Sequence, residues 1–88
     1  MYHPDLLVNT ERGEILVEVK SLYTAGLCDH ESQKEMFRVM HRKLKVSKEQ
    51  GYEIKLAVVE KGKVHIVHKP YTKTFKQIRA EAKALLLE

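Results

Sequence analysis

Asp5, Glu18 and Lys20 are the residues of this 88-residue chain whose types and spacing could do chemistry together. Glu18 and Lys20 are two apart, so in a strand they point to the same side. A second strand running back alongside would bring Asp5 next to them. Two carboxylates converging on one point make a hard, oxygen-rich site suited to Mg²⁺ or Mn²⁺. Such an ion can bind a scissile phosphate and lower the pKa of an attacking water. The lysine ammonium can hold that water or stabilise charge on the transition state. The same residues would also serve as an ordinary solvated hairpin face, with Glu18 and Lys20 a minor surface pair.

Positioning these groups requires a hairpin. Asp5-Leu6-Leu7-Val8 reads as a short strand, and Asn9 to Gly13 has turn chemistry. In the following strand Ile15, Val17 and Val19 share one face, while Glu14, Leu16, Glu18 and Lys20 share the other. Ser21 to Cys28 reads as a loop containing Gly26. Asp29 is the expected N-cap of the next helix, with Ser32 as a second candidate. From about Glu31 to Gln50, Gln33, Phe37, Met40 and Leu44 recur at helical spacing, and Gly51 is the expected stop. Ile54 to Val59 suits a largely buried strand, Lys61-Gly62 a tight turn, and Val64 to Val67 a strand ended by Pro70. Thr72 or Thr74 then caps a last helix whose apolar stripe is Phe75, Ile78, Ala82 and Leu85. The predicted order is β-β-α-β-β-α, an α/β arrangement of helices on a mixed sheet.

Residues 1–88 make a single domain, with a core modest enough that stability is marginal. Sixteen Lys and Arg face twelve Asp and Glu, for a net charge of +4. That excess permits a polyanionic partner without demanding one. Its distribution is more telling, because Arg38, His41, Arg42, Lys43, Lys45 and Lys48 crowd into one stretch. Cys28 is the only cysteine, which rules out an internal disulfide and fits a reducing compartment. Its lack of a partner at metal spacing argues against a zinc site. No apolar run approaches the ~20 residues needed to cross a bilayer, and the start has no signal-peptide pattern. The expectation is a soluble cytoplasmic protein.

The run His3-Pro4-Asp5-Leu6-Leu7-Val8, followed by Glu14-Ile15-Leu16-Val17-Glu18-Val19-Lys20-Ser21, resembles the PD-(D/E)xK nuclease superfamily. The pattern is similar to phage-type junction-resolving endonucleases, TnsA-like transposase nucleases and compact VRR-NUC domains, over roughly Tyr2 to Val59. The resemblance implies a restriction-endonuclease-like core. It also implies metal-ligand roles for Asp5 and Glu18, a further ligand in the Val19 carbonyl, and a catalytic role for Lys20. Family members usually carry an N-terminal helix before the hairpin, whereas this chain starts almost at the motif. By the same analogy Gln33, on the first turn of the helix, is a possible accessory residue, although a capping role suits it at least as well. His3 is the other accessory candidate.

These readings converge on an expected function: Mg²⁺- or Mn²⁺-dependent endonuclease hydrolysis of DNA phosphodiester bonds, with branched or junction DNA a candidate substrate. Arg38, Arg42 and Lys45 are the expected phosphate contacts. A homodimer or intertwined oligomer is expected, since the missing N-terminal elements should leave a sheet edge or an apolar face uncovered. The competing expectation is a non-catalytic nucleic-acid-binding or assembly module on the same fold. Tyr23 and Tyr71 suit base stacking or gap filling equally.

Overall fold

A computed structural model of the chain describes residues 6–87. Strand β1 (Leu6–Thr10) and strand β2 (Gly13–Ser21) form the expected hairpin. Helix α1 (Glu31–Glu49), strand β3 (Glu53–Glu60) and strand β4 (Lys63–Val67) follow. A single 3₁₀ turn (Pro70–Thr72) then leads into helix α2 (Phe75–Leu86). Apart from that turn, the order is the predicted one. Asn9 and Thr10 lie within β1 instead of in the turn. The Thr10 hydroxyl donates to the Gly13 carbonyl at 2.8 Å and accepts from the Arg12 amide at 3.2 Å, which closes the chain reversal after two residues.

The sheet runs β1-β2-β3-β4, antiparallel at both margins and parallel between β2 and β3. A parallel pair needs a crossover, and α1 supplies it. Both helices pack on one face of the sheet. There Leu16, Ile54, Leu56, Val58 and Val67 meet Phe37, Met40 and Leu44 of α1 and Ile78, Ala82 and Leu86 of α2. Phe37 anchors the seam between helices, edge-on to Phe75 at 5.1 Å.

Helix α1 buries Gln33, Phe37, Met40 and Leu44. Its stop is the expected glycine. Gly51 has φ +97, its amide donates to Lys48 O at 2.9 Å, and the Tyr52 amide donates to Ser47 O at 3.4 Å. That is the paired bonding of a left-handed helix end. The start of α1 differs from expectation. The N-cap is His30, which makes no side-chain cap, and Asp29 reaches instead to Arg79 and Lys83 of α2. Two cations 50 and more residues along the chain outcompete local amide donors for one carboxylate.

Helix α2 is capped by Thr74. Its hydroxyl accepts from the Gln77 amide at 3.2 Å while Gln77 Oε1 accepts from the Thr74 amide at 2.9 Å. Its apolar stripe runs Ile78, Ala82, Leu86, and Leu85 is 57% exposed. Steps of four from Ile78 reach residue 86, so Leu85 is rotated about 100° off the seam. Beside α2, Glu81 accepts two bonds from Lys73 at 2.9 and 3.0 Å and lies 3.5 Å from His65. The Lys73 ammonium, with His65 behind it, holds the Glu81 carboxyl below the usual range.

Candidate functional site

Strand β2 presents Leu16, Glu18 and Lys20 to the helix-covered face of the sheet. The register confirms the geometry: Leu16 lies beside Ile54, Glu18 beside Leu56 and Lys20 beside Val58, all core residues. Glu18 is buried at 7% exposure, and Lys20 Nζ stands 3.3 Å from Glu18 Oε1. The lysine side chain is about one-third exposed, so its stem lies on the core while the ammonium reaches the margin. Burying an uncompensated carboxylate costs several kcal/mol, and an adjacent ammonium offsets part of that. The predicted adjacency of Glu18 and Lys20 is therefore present.

Asp5 and His3 lie outside the described residues, which leaves one predicted metal ligand and one accessory candidate without a described position. Among the described residues, no three His, Cys, Asp or Glu side chains converge on a point. A hard cation at this place would need Asp5 to join Glu18. The Glu18 carboxylate is chemically suited to that donor set, being an oxygen donor kept from bulk water.

The segment after Lys20 is a folded plug. Leu22, Ala25 and Leu27 are buried in the core. Ser21 and Thr24 exchange bonds, with the Ser21 amide donating to Thr24 Oγ1 at 2.8 Å and the Thr24 amide to Ser21 Oγ at 3.1 Å. Gly26 sits against α1 so closely that a Cβ there would lie 2.3 Å from the Phe37 amide nitrogen. Its φ of +76 also favours glycine.

Gln33 is fully buried. Its Oε1 accepts from the Cys28 amide at 3.1 Å and its Nε2 lies 3.2 Å from Met36 Sδ. It ties the plug to α1. This satisfies a loop amide that would otherwise be buried unpaired, so its position serves the fold of the segment that follows Lys20.

Arg38, Arg42 and Lys45 are all exposed on the outer face of α1. Arg38 is paired with Glu35 at 2.6 Å, which holds the Glu35 carboxyl below its usual range. His41, from the same basic stretch, is not on that face. Its ring stacks on Phe37 at 5.2 Å, and Nε2 reaches the carbonyls of Pro70 and Lys73 at 3.0 and 3.1 Å. Lys48 lies over the Tyr71 ring at 5.5 Å, and Tyr71 packs on the core. Tyr23 is 57% exposed. The structural roles of His41 and Gln33 leave no local sequence signal, because their partners lie across the fold or inside a loop.

An open cleft of about 400 Å³ lies where the start of α1 faces α2, lined by Cys28, Asp29, His30, Glu31, Lys34, Phe75 and Arg79. Asp29 is spanned there by Arg79 and Lys83. Among the described residues, no helix is long and apolar enough to cross a membrane. No family model, curated protein or solved structure matches the chain.

Proposed function

We propose that the chain hydrolyses DNA phosphodiester bonds as a metal-dependent endonuclease of the PD-(D/E)xK type, through Asp5, Glu18 and Lys20. The observation that carries this reading is Glu18 itself. It is a carboxylate buried at the covered face of β2, with an ammonium 3.3 Å away and aliphatic core residues beside it. An apolar residue there would pack without a desolvation cost, so chemistry is the better account of its presence. The hairpin-helix-strand order supports a restriction-endonuclease-like core. The proposal requires Asp5 to stand opposite Glu18, one step beyond the Leu6–Val17 pair of the hairpin.

In this reading Asp5, Glu18 and the Val19 carbonyl hold Mg²⁺ or Mn²⁺. When bound, the ion would polarise the scissile phosphate and acidify the attacking water. Lys20 orients that water or meets charge developing on the phosphate. Gln33 acts indirectly, by fixing the plug that follows Lys20. The proposed partners are DNA, linear or branched, met by Arg38, Arg42 and Lys45, and a second copy of the chain. The proposed setting is the cytoplasm, where a lone thiol stays reduced.

The test is cleavage of linear, flapped and four-way DNA in Mg²⁺ or Mn²⁺, with binding measured separately in Ca²⁺. Lys20→Ala is expected to bind DNA as the parent does and to lose cleavage by about 10²-fold or more, the scale for removing one transition-state donor. Glu18→Gln should lose cleavage together with metal affinity. A Lys20→Ala protein that cuts as well as the parent refutes the mechanism. A parent that binds all three substrates and cuts none reduces the chain to a binding module.

A further inference from the structure

The helix-free face of the sheet is almost entirely aliphatic. Strand alternation places Leu6 and Val8 of β1 there, with Ile15, Val17 and Val19 of β2, Ala57 and Val59 of β3, and Val64 and Ile66 of β4. The pairings make these nine one contiguous patch: Leu6 beside Val17, Val19 beside Ala57, Ala57 beside Ile66, Val59 beside Val64. Leu6, Val8, Val64 and Ile66 are 52%, 42%, 59% and 39% exposed. Polar groups flank the patch at Thr10, Ser21, Glu53 and Lys55, the last two on β3 beside Ile15 and Val17. Burial is thus uneven within β2, where a carboxylate is buried while Ile15, Val17 and Val19 are only half-buried. All-parallel sheets have both faces covered, and the central β2–β3 pair here is parallel.

We propose that a second copy of this chain covers that face, sheet against sheet. Both helices of the described residues lie on the opposite face, so neither covers this one. The patch carries no net charge to repel its own copy, because Glu53 and Lys55, two apart on β3 beside Ile15 and Val17, are of opposite sign although the chain carries +4 overall. Area is adequate as well. Four strands about 4.8 Å apart, with a rise of about 3.4 Å over five to eight residues, span roughly 19 × 17–27 Å, on the order of 300–500 Å². Two such faces with their rims bury about 1,000 Å², the low end of specific interfaces. Aligned sheets pack about 10 Å apart with interdigitated side chains, and a two-fold axis lets one self-complementary patch serve both copies. Glu18 and Lys20 point away from this interface, so dimerisation and the nuclease reading stand or fall separately.

The experiment is sedimentation equilibrium on the full chain across micromolar to high-micromolar concentrations. The parent should run at twice the chain mass at the upper end and dissociate on dilution. Val17→Lys, at the patch centre, should be monomeric throughout with an unchanged far-ultraviolet circular dichroism spectrum. Val64→Lys, on the exposed margin strand, gives a second reading should Val17→Lys fail to fold. Val46→Lys, at a position 43% exposed but on α1, should dimerise like the parent. A parent that stays monomeric overturns the proposal, as does a folded Val17→Lys or Val64→Lys protein that still dimerises.

Discussion

Replacing Gly26 with alanine should be among the most damaging single-methyl changes in the chain, and two separable terms set its size. The first is conformational. At φ +76 a residue with a Cβ sits in the left-handed region, which costs about 1–2 kcal/mol. The second is steric. The new Cβ would lie 2.3 Å from Phe37 N, 2.5 Å from Gln33 O and 2.9 Å from Phe37 Cα. All three are backbone atoms of α1, so no side chain can swing aside, and either the plug or the helix must move by about 1 Å. Overpacking of that kind costs about 1–3 kcal/mol. The sum, roughly 2–5 kcal/mol, is a large part of the about 4–13 kcal/mol expected of a domain this size. Gly62→Ala separates the terms, since Gly62 has φ +79 with nothing within 4 Å and should lose only the conformational part. Urea unfolding of parent, Gly26→Ala and Gly62→Ala, compared at equal m-value, reads the difference directly. A Gly26→Ala protein no less stable than Gly62→Ala would refute the claim that the plug is wedged against α1.

The capping box of α2 predicts that Thr74→Ala loses about 1 kcal/mol, within the 0.5–2 kcal/mol range for such caps; a loss below about 0.3 kcal/mol in the same urea assay would mean that solvent replaces the cap. For the outer face of α1, the triple change Arg38→Ala, Arg42→Ala and Lys45→Ala should flatten the dependence of DNA affinity on salt, by up to about three phosphate contacts' worth of slope. An unchanged slope in a fluorescence anisotropy titration would place the DNA contact elsewhere.

The elements that sequence reading located well are those governed by local rules. The buried set Gln33, Phe37, Met40 and Leu44 follows from helical periodicity alone. Gly51 and the Lys61-Gly62 turn follow from handedness, and at that turn both residues have positive φ, Lys61 at 49 and Gly62 at 79. The pairing of Glu18 with Lys20 follows from the two-residue repeat of a strand. What escaped the sequence depends on the chain meeting itself at a distance. Asp29 looks like a cap until α2 supplies two cations. His41 looks like part of a basic stripe until the carbonyls of Pro70 and Lys73 claim its ring nitrogen. The helix stripe ends at Leu86, because one residue's rotation decides which leucine meets the sheet.

The choice of covered face on β2 is the most consequential of these non-local decisions. Alternation divides Ile15, Val17 and Val19 from Leu16, Glu18 and Lys20, but by itself it does not say which set meets the helices. Hydropathy alone would favour the Ile-Val-Val set. The fold chooses the other, since α1 crosses from β2 to β3 over the side carrying Leu16, Ile54 and Leu56. With a second copy on the far side, β2 becomes a strand buried on both faces, and the near-continuous apolar run from Ile15 to Val19 is then what such a strand should look like. Within that run Glu18 is the single polar interruption. Two-sided burial accounts for every other residue from 15 to 19, whereas Glu18 faces the helices beside Leu56, with the Lys20 ammonium 3.3 Å away, and is untouched by what covers the far side.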